Sequence, residues 1–115
     1  MLPYKRSQRV GHLIKKEVSD IILNRLRDSR LGFITITDVK VTDDLKLARI
    51  HYSVLKEEDR EVTGKILESS RSYIRSELGH RIKMRFTPDI DFIYDEGPSY
   101  GDHISRLLQK IQDGE

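Results

Sequence analysis

The hydrophobic pattern of the first thirty residues predicts one amphipathic helix. Between about Ser7 and Arg27 the apolar residues recur at spacings of three, four, seven and eight, which describe one face of an α-helix. These residues are Val10, Leu13, Ile14, Val18, Ile21, Ile22 and Leu26. The sequence DSRLG at 28–32 supplies turn residues, so we expect the helix to end there.

Two short segments with alternating apolar residues follow and predict a β-hairpin. FITITDVKV at 33–41 is rich in β-branched residues, but its alternation changes phase in the middle. A β-bulge near Thr37–Asp38 would bring its four aliphatic side chains to one face. These four are Ile34, Ile36, Val39 and Val41. After the turn TDDLK, a second strand carries apolar residues at period two, namely Ala48, Ile50, Tyr52 and Val54.

The next forty residues predict a kinked helix and a long third strand. Acidic residues in KEEDRE at 56–61 favour a helix start, and Gly79 is expected to close the helix as a C-cap. SSRS at 69–72 predicts a kink, because serine side chains compete for backbone hydrogen bonds. Alternating apolar residues then predict a strand, which Pro88 restricts to a sheet edge or a bulge. They are Ile82, Met84, Phe86, Ile90, Phe92 and Tyr94.

The C-terminal residues predict a loop and a short final helix. GPSYG at 97–101 is the loop, and Asp102 is a suitable helix cap. The apolar residues of the helix are Ile104, Leu107, Leu108 and Ile111. We expect the tail after about residue 111 to lack regular structure.

The order of these elements predicts an α+β fold. Residues 1–115 are expected to form a single domain with a three-stranded mixed sheet and helices mainly on one face. Helices separate the second and third strands, so we expect the last strand to return beside the first in parallel, through a right-handed crossover. A chain of this length can bury a hydrophobic core.

Composition narrows the class of protein. There is no cysteine, which excludes disulfides, thiolate metal sites and a thiol nucleophile. We find no secretory signal and no apolar run of membrane-spanning length. The sequence therefore favours a soluble protein of the reducing cytoplasm, and nothing in it demands an oligomer.

Charge is distributed in blocks, although the formal net charge is only +2. Residues 1–30 hold eight Lys and Arg against three acidic residues, and residues 71–86 hold five against one. Residues 87–97 reverse the sign with four acidic residues and no basic one. Such a field steers association with a charged partner, and a phosphate-rich partner suits the two basic blocks.

The basic residues form two candidate RNA-binding surfaces. In the first helix Lys5, Arg9, Lys16 and Arg27 fall on one stripe, with Arg6 beside it. For this helix alone a solvated face is the better interpretation. If the even-numbered residues 82–86 face the core, three cations point away from it, and two more precede them on the helix. These five are Arg71, Arg75, Arg81, Lys83 and Arg85.

A row of like charges repels itself, and exposed ion pairs are worth only about 0–1 kcal/mol, so the second surface favours a phosphate-facing ridge. The alternative is neutralisation across the sheet by Asp89, Asp91 and Asp95. The aromatic residues expected in the interior are Tyr73, Phe86, Phe92 and Tyr94. Base stacking is therefore weakly supported, and recognition of RNA shape and backbone fits better.

Two other function classes stay open. Asp89, Asp91, Asp95, Glu96 and Asp102 could gather a Mg²⁺ ion for nuclease chemistry, although no general base stands out. None of the four histidines has a recognised ligand spacing, so we expect neither a metal nor another cofactor. A protein-interaction module is the other class, and its binding would be insensitive to salt, whereas RNA binding falls steeply with salt.

The order of helices and strands resembles that of the type II KH domain, a binder of single-stranded nucleic acid. The GXXG clamp of that domain is absent, since no GXXG occurs in the chain. The sequence resembles bacterial ribosome-binding factor A over nearly its whole length. Four motifs carry this resemblance: RVGHLIKKEVSDII (9–22), DSRLGFITITDVKVTDDLKLARIHYSV (28–54), SYIRSELGHRIKMRFTPDIDFIYD (72–95) and GDHISRLL (101–108).

The resemblance implies an assembly factor without catalytic activity. Such proteins bind free, immature 30S subunits, support late maturation and 5′-end processing of 16S rRNA, and matter most in the cold. It also implies an assembly GTPase as a partner in some bacteria. The family's kink reads Ala-x-Gly, and Ser70-Arg71-Ser72 stands there instead. Serine adopts the left-handed conformation less readily than glycine does. A gentle bend of the helix is therefore the alternative to a sharp left-handed break at Ser72.

Overall fold

The structure, a computed structural model, describes residues 5–26, 28 and 30–96. Its helices are α1 (Arg6–Asp20), α2 (Arg60–Ser69) and α3 (Arg71–Arg81), and its strands are β1 (Ile34–Val41), β2 (Leu47–Val54) and β3 (Asp89–Tyr94). A π-helical turn, Ile21–Leu26, extends α1, and a 3₁₀ turn, Glu57–Asp59, precedes α2. The predicted C-terminal helix and the nuclease candidate Asp102 lie outside the described residues.

The three strands form one mixed sheet in the order β1-β2-β3, and this α+β fold confirms the predicted fold class. β1 is antiparallel to β2, and β3 is parallel to β2. The expectation that the last strand returns beside the first is therefore wrong. β2 is the central strand, with hydrogen-bonded neighbours on both edges, and its Ala48 and Ile50 side chains are completely buried on the core side.

The predicted bulge in β1 is confirmed. Ile36 pairs with Tyr52 and Asp38 pairs with His51, so Thr37 is the extra residue. This insertion restores the phase of the strand, and the aliphatic residues on both sides of it pack on one core.

All three helices pack on the same face of the sheet. The core joins Ile14 and Val18 of α1 and Ile74 and Leu78 of α3 to the apolar side of the three strands. Each such side chain contributes about 1.5–3 kcal/mol when it is fully buried. α3 contacts both other helices and therefore lies between them. Within the described part of the chain, the opposite face of the sheet is left open.

The first helix differs from the prediction at its C-terminal end. A regular helix was predicted to about Arg27, but the last six described residues form the π-helical turn. A π-turn accommodates one extra residue, and here the consecutive Ile21 and Ile22 are both buried.

The helical break falls at Ser70, between α2 and α3. Its backbone angles, φ −98° and ψ 1°, lie between helix and turn. The Ser70 N–H still donates to the carbonyl oxygen of Ile66, and the Ile74 N–H donates to that of Ser70. Ser72 lies inside α3, and the only described non-glycine residue with positive φ is Leu45. The break is thus a bend in a continuing hydrogen-bond chain.

Gly79 was predicted to end this helix, and that prediction is wrong. α3 continues to Arg81, and Ile82 is the first residue with extended backbone angles. Gly79 instead lies against Thr87, where an added Cβ would be 2.7 Å from the Thr87 hydroxyl oxygen. Close approach of the following segment, rather than backbone freedom, explains the glycine here.

The third strand is shorter than predicted. β3 begins at Asp89, and residues 82–88, which we call the linker, form no strand. Ile82 and Pro88 are buried at its two ends, whereas Phe86 between them is 73% exposed. Met84 also packs against the core, so the predicted alternation holds as far as Met84 and fails at Phe86. Pro88 provides no N–H for a ladder.

Two aromatic residues predicted to lie in the interior are exposed. Phe86 is one, and Tyr73 is the other, because the buried line of α3 passes through the neighbouring Ile74. Phe92 and Tyr94 are partly buried, and both contact the ring of Tyr52 edge-on. No helix in the described ranges is long and apolar enough to span a bilayer.

Candidate nucleic-acid interface

The exposed side of α1 carries cations that face solvent. Lys5, Arg6, Arg9 and Lys16 are all exposed, and within the described ranges none of them forms an ion pair. The opposite side of the helix lies so close to β1 that a Cβ on Gly11 would be 2.8 Å from the Val39 carbonyl oxygen. Arg27, predicted to belong to this stripe, lies outside the described residues.

Arg71 and Arg75 have partners inside the fold. From α3 their guanidinium groups reach β3, where Arg71 Nη1 lies 3.4 Å from the Ile90 carbonyl oxygen. Arg75 donates to the carbonyl oxygens of Pro88 (3.0 Å) and Thr87 (2.6 Å). These bonds hold the start of β3 and the end of the linker against α3.

The same two arginines meet the acidic block. Arg71 lies 3.5 Å from the Asp91 carboxylate, and Arg75 lies 3.4 Å from that of Asp89. The neutralisation considered as an alternative in the sequence analysis is therefore present in part. The paired arginines are on α3 and meet the aspartates of β3 directly, and not from across the sheet. Both arginine side chains remain 45% exposed, so their charges still contribute to the surface.

Arg81 was expected to share a strand face with Lys83 and Arg85, and this placement is wrong. Because α3 continues through it, Arg81 points at α1 and lies 2.6 Å from Asp20 and 3.3 Å from Glu17. The side-chain hydrogen bond from Arg81 lowers the pKa of the Asp20 carboxyl. Arg81 therefore joins α1 to α3 and is poorly placed to meet an external phosphate.

Lys83 and Arg85 lie on the linker and are exposed. Neither forms an ion pair with another described residue. The Arg85 guanidinium carbon lies 5.5 Å from the centre of the Phe86 ring, within the range of a cation–π contact.

A groove of about 550 Å³ separates the linker from the start of α1 and the β1–β2 turn. We call it the basic groove. Its cations are Arg6, Lys46, Arg75 and Arg85, and its acidic residues are Asp44 and Asp89. Four positive charges against two negative ones leave it positive. Lys46 and the exposed Phe86 were missed as site residues. Thr87-Pro88 interrupts the strand pattern directly after Phe86, and this interruption was the available sign that Phe86 does not lie in a regular strand.

The opposite end of the molecule is acidic. A larger cleft of about 1110 Å³ runs along α2. Its four acidic residues, Glu57, Glu58, Glu61 and Glu68, outnumber its two cations, Arg60 and Lys65. Since α3 lies between α1 and α2, the acidic cleft and the α1 cations are on different sides of the helical layer. A polyanion would be attracted to the α1 side and repelled from the α2 side.

The carboxylates considered for Mg²⁺ do not converge. Asp89 and Asp91 face the α3 arginines, and Asp95 accepts a hydrogen bond from the Thr37 hydroxyl at 2.8 Å. Among the described residues no group of three or more His, Asp or Glu side chains is placed to hold a metal ion.

The connectivity α–β–β–α–α–β, with β3 parallel to β2, defines a type II KH-like domain in which a bend at Ser70 replaces the GXXG clamp. Residues 6–108 match the family described as Ribosome-binding factor A. The chain belongs to this family.

Relatives and solved structures agree with this assignment. The chain is 46% identical to ribosome-binding factor A of Thermodesulfovibrio yellowstonii over 97% of its own length and 95% of the relative's. It is also 46% identical to that of Staphylococcus carnosus over 92% and 93%. A Thermotoga maritima solution structure, solved as a candidate member, is 29% identical with a TM-score of 0.73, over 85% of this chain and 94% of that one.

Two Thermus thermophilus structures support the fold. The crystal structure of ribosome-binding factor A from this organism is 22% identical with a TM-score of 0.69, over 76% of this chain and 94% of that one. A homology-based structure of the Thermus factor, fitted into the cryo-EM map of a 30S complex, is 22% identical with a TM-score of 0.66, over 76% and 92%.

Proposed function

We propose that the protein is a ribosome assembly factor that binds free, immature 30S subunits through the phosphates of 16S rRNA. One observation carries this proposal: α1 and the linker carry a set of exposed cations without ion-pair partners among the described residues. Its members are Lys5, Arg6, Arg9, Lys16, Lys83 and Arg85. Family membership supplies the identity of the partner, since the Thermus relative was fitted into a map of a 30S complex.

The energetics favour phosphate contact by these six residues over the other basic ones. A cation that already has a carboxylate partner must lose it, or share it, before it can neutralise a phosphate. Arg81 is held by two carboxylates, so we expect its contribution to RNA affinity to be small. Arg71 and Arg75 are intermediate, because they are half exposed and already hydrogen-bonded to backbone carbonyls.

The finer features of the function follow from the family resemblance. We propose that binding supports late maturation of 16S rRNA and processing of its 5′ end, that the protein itself catalyses no reaction, and that it is most needed in the cold. We further propose that it acts as a monomer in the cytoplasm and that an assembly GTPase assists its release.

Co-sedimentation with purified 30S subunits and with whole ribosomes, across a salt series, tests the proposal. We expect binding to free 30S subunits only, with an affinity that falls as salt rises. Each phosphate contact that is lost should reduce the slope of log K against log [salt] by about 0.7–0.9. The double variant Lys83→Glu/Arg85→Glu should therefore bind more weakly and with a shallower slope.

The matched control reverses two lysines on the acidic side of the molecule. Both are exposed: Lys56 precedes the 3₁₀ turn, and Lys65 lies within α2, 3.3 Å from the exposed Glu61 carboxylate. Lys56→Glu/Lys65→Glu changes the net charge by the same amount but should leave affinity nearly unchanged. Equal loss in both double variants would mean that only net charge matters. Binding that is insensitive to salt and survives RNase would support the protein-interaction alternative instead.

A further inference from the structure

Phe86 is a large apolar side chain that the fold leaves in solvent. The linker is fixed at both ends, since Ile82 and Pro88 are buried and Arg75 holds the carbonyl oxygens of Thr87 and Pro88. The exposure of Phe86 is therefore a property of an anchored segment and not of a loose loop. Burial of an aromatic ring is favourable, so the folded chain alone gains nothing from this placement.

The surroundings of Phe86 combine apolar and cationic groups. Leu45 and Met84 line the basic groove with Phe86, and Arg85 lies against the ring. Arg6 and Lys46 approach from α1 and from the β1–β2 turn. An exposed aromatic ring flanked by cations from three separate segments is the combination that binds a base together with its adjoining phosphates.

The two carboxylates of the groove already have partners. Asp89 pairs with Arg75. Asp44 accepts hydrogen bonds from the Thr42 hydroxyl (2.7 Å) and the Lys46 N–H (3.0 Å), and these lower its pKa. Arg6, Lys46 and Arg85 form no ion pair with any described residue, so their charges are available to a ligand.

The backbone at the edge of the groove is also unusual. Leu45 has φ 62°, a left-handed conformation that costs a non-glycine residue about 1–2 kcal/mol. This conformation belongs to the β1–β2 turn, in which the Leu45 N–H donates to the Thr42 carbonyl oxygen at 2.8 Å, so the hairpin fixes this edge of the groove. The volume of about 550 Å³ falls within the range of roughly 300–1,000 Å³ that small ligand sites occupy.

We propose that the basic groove binds an unpaired base of single-stranded RNA. The base stacks on Phe86, and the adjoining phosphates meet Arg6, Lys46 and Arg85. This inference rests on the proposed function and adds to it, because it assigns an unpaired nucleotide to a surface otherwise expected to read only RNA shape. A duplex cannot use the site, since its bases already stack within the helix.

The test compares two equally exposed phenylalanines. Phe86→Leu keeps an apolar side chain but removes the aromatic face, and Phe33→Leu makes the same change at a residue that is 78% exposed and lines no basic groove. The probe is a fluorescein-labelled eight-nucleotide RNA of alternating A and C, free or annealed to its complement. Affinity is measured by fluorescence anisotropy with the full chain at low salt.

We expect Phe86→Leu to weaken binding of the single strand by at least about fivefold, the effect of losing one stacked base. Phe33→Leu should leave it within twofold, and neither variant should change duplex binding. Thermal unfolding of both variants checks that the fold is intact. Loss of duplex and single-strand affinity in equal measure would overturn the proposal, because that result reports charge or shape and not stacking.

Co-sedimentation separates this proposal from the proposed function. If Phe86→Leu retains full single-strand affinity while Lys83→Glu/Arg85→Glu loses 30S binding, the stacking site is overturned and the assembly-factor proposal stands. If Phe86→Leu impairs 30S binding but not binding of the RNA probe, Phe86 contacts a ribosomal protein, and the nucleotide site is wrong. Millimolar AMP should displace the probe from the wild type but not from Phe86→Leu, because both ligands then share the Phe86 ring; equal displacement from both proteins would overturn the site.

Discussion

Replacing Gly79 by alanine should destabilise this protein, although a glycine-to-alanine change in the middle of an ordinary helix stabilises that helix. Gly79 lies within α3, where alanine is favoured over glycine by about 1 kcal/mol. The added Cβ would lie 2.7 Å from the Thr87 hydroxyl oxygen, well inside normal contact distance. The next nearest atoms of Thr87, its Cβ and Cγ2, lie at 3.7 Å, an ordinary contact.

These distances determine the size and the sign of the change in the free energy of unfolding. Overpacking of this kind costs about 1–3 kcal/mol, so Gly79→Ala should lower the free energy of unfolding by up to about 2 kcal/mol after the helix gain. Thr87→Ala removes the offending oxygen and leaves only the Cβ. In that background Gly79→Ala should instead raise the free energy of unfolding by about 1 kcal/mol. The coupling energy of the cycle is then about 1–3 kcal/mol.

Urea unfolding followed by circular dichroism at 222 nm, on the wild type, both single variants and the double variant, measures this cycle. Gly11→Ala is a useful contrast, because its Cβ would lie 2.8 Å from the backbone carbonyl oxygen of Val39, and no side-chain change can relieve that contact. A Gly79→Ala variant that is stabilised equally in both backgrounds would refute the close approach of the linker to α3.

Three further predictions concern stability. Thr63 is fully buried, and its hydroxyl has no hydrogen-bond partner among the described residues. Thr63→Val should therefore raise the free energy of unfolding by about 1 kcal/mol. In thermal melting this corresponds to a Tm that is higher by roughly 4 °C. Leu45→Asn should add roughly 0.5 kcal/mol in urea unfolding, since asparagine tolerates the left-handed backbone; a loss would show that the leucine contacts outweigh the strain. The pKa of Asp28 is lowered to about 2, chiefly by the side-chain hydrogen bond from Arg30, so its stabilising effect is present above about pH 4 and is lost as pH falls towards 2. Asp28→Asn should flatten the fall in urea midpoint over that interval, and an unchanged fall would contradict the assignment.

The helices, the hairpin and the bulge were predictable because each has a local cause. The phase change between Ile36 and Val39 requires one extra residue, whatever the rest of the chain does. The spacing of Ile14 and Val18 likewise identifies the buried side of α1. Such features follow from periodicity along a short segment.

The errors arose where distant segments decide the outcome. Residues 82–86 alternate as a strand does, but a strand needs a hydrogen-bonding neighbour, and β3 first pairs with β2 at Asp89. The carbonyl oxygen that precedes this pairing, that of Pro88, is bonded to Arg75, and the pattern of the linker alone cannot reveal that contact. Two further predictions were wrong for the same reason. Phe86 was expected in the interior but is exposed, and Arg81 was expected on a strand but is the last residue of α3.

The positive charge of the candidate site was predictable from the sequence, but the pairing of its individual cations was not. Counting charges identified the α1 and linker cations, because unpaired lysines and arginines dominate those stretches. It could not separate Arg81, held by Asp20 and Glu17, from Lys83, which has no described ion-pair partner, since pairing depends on the packing of α3 against α1. The groove around Phe86 depends on the same packing.

The hydrogen bonds from Arg71 and Arg75 have a consequence for how this protein behaves at high concentration. Among the described residues β3 is a terminal strand of the sheet, and alternate backbone groups along it point away from β2. An uncovered strand edge is a template on which another chain can add a strand, which leads to domain swapping or fibrils. Guanidinium groups occupy the carbonyl oxygens of Ile90 and Pro88 along this edge, and their charge repels a second copy that approaches in the same way. Two arginines that look like ligand-binding residues in the sequence thus also protect the folded chain from self-assembly.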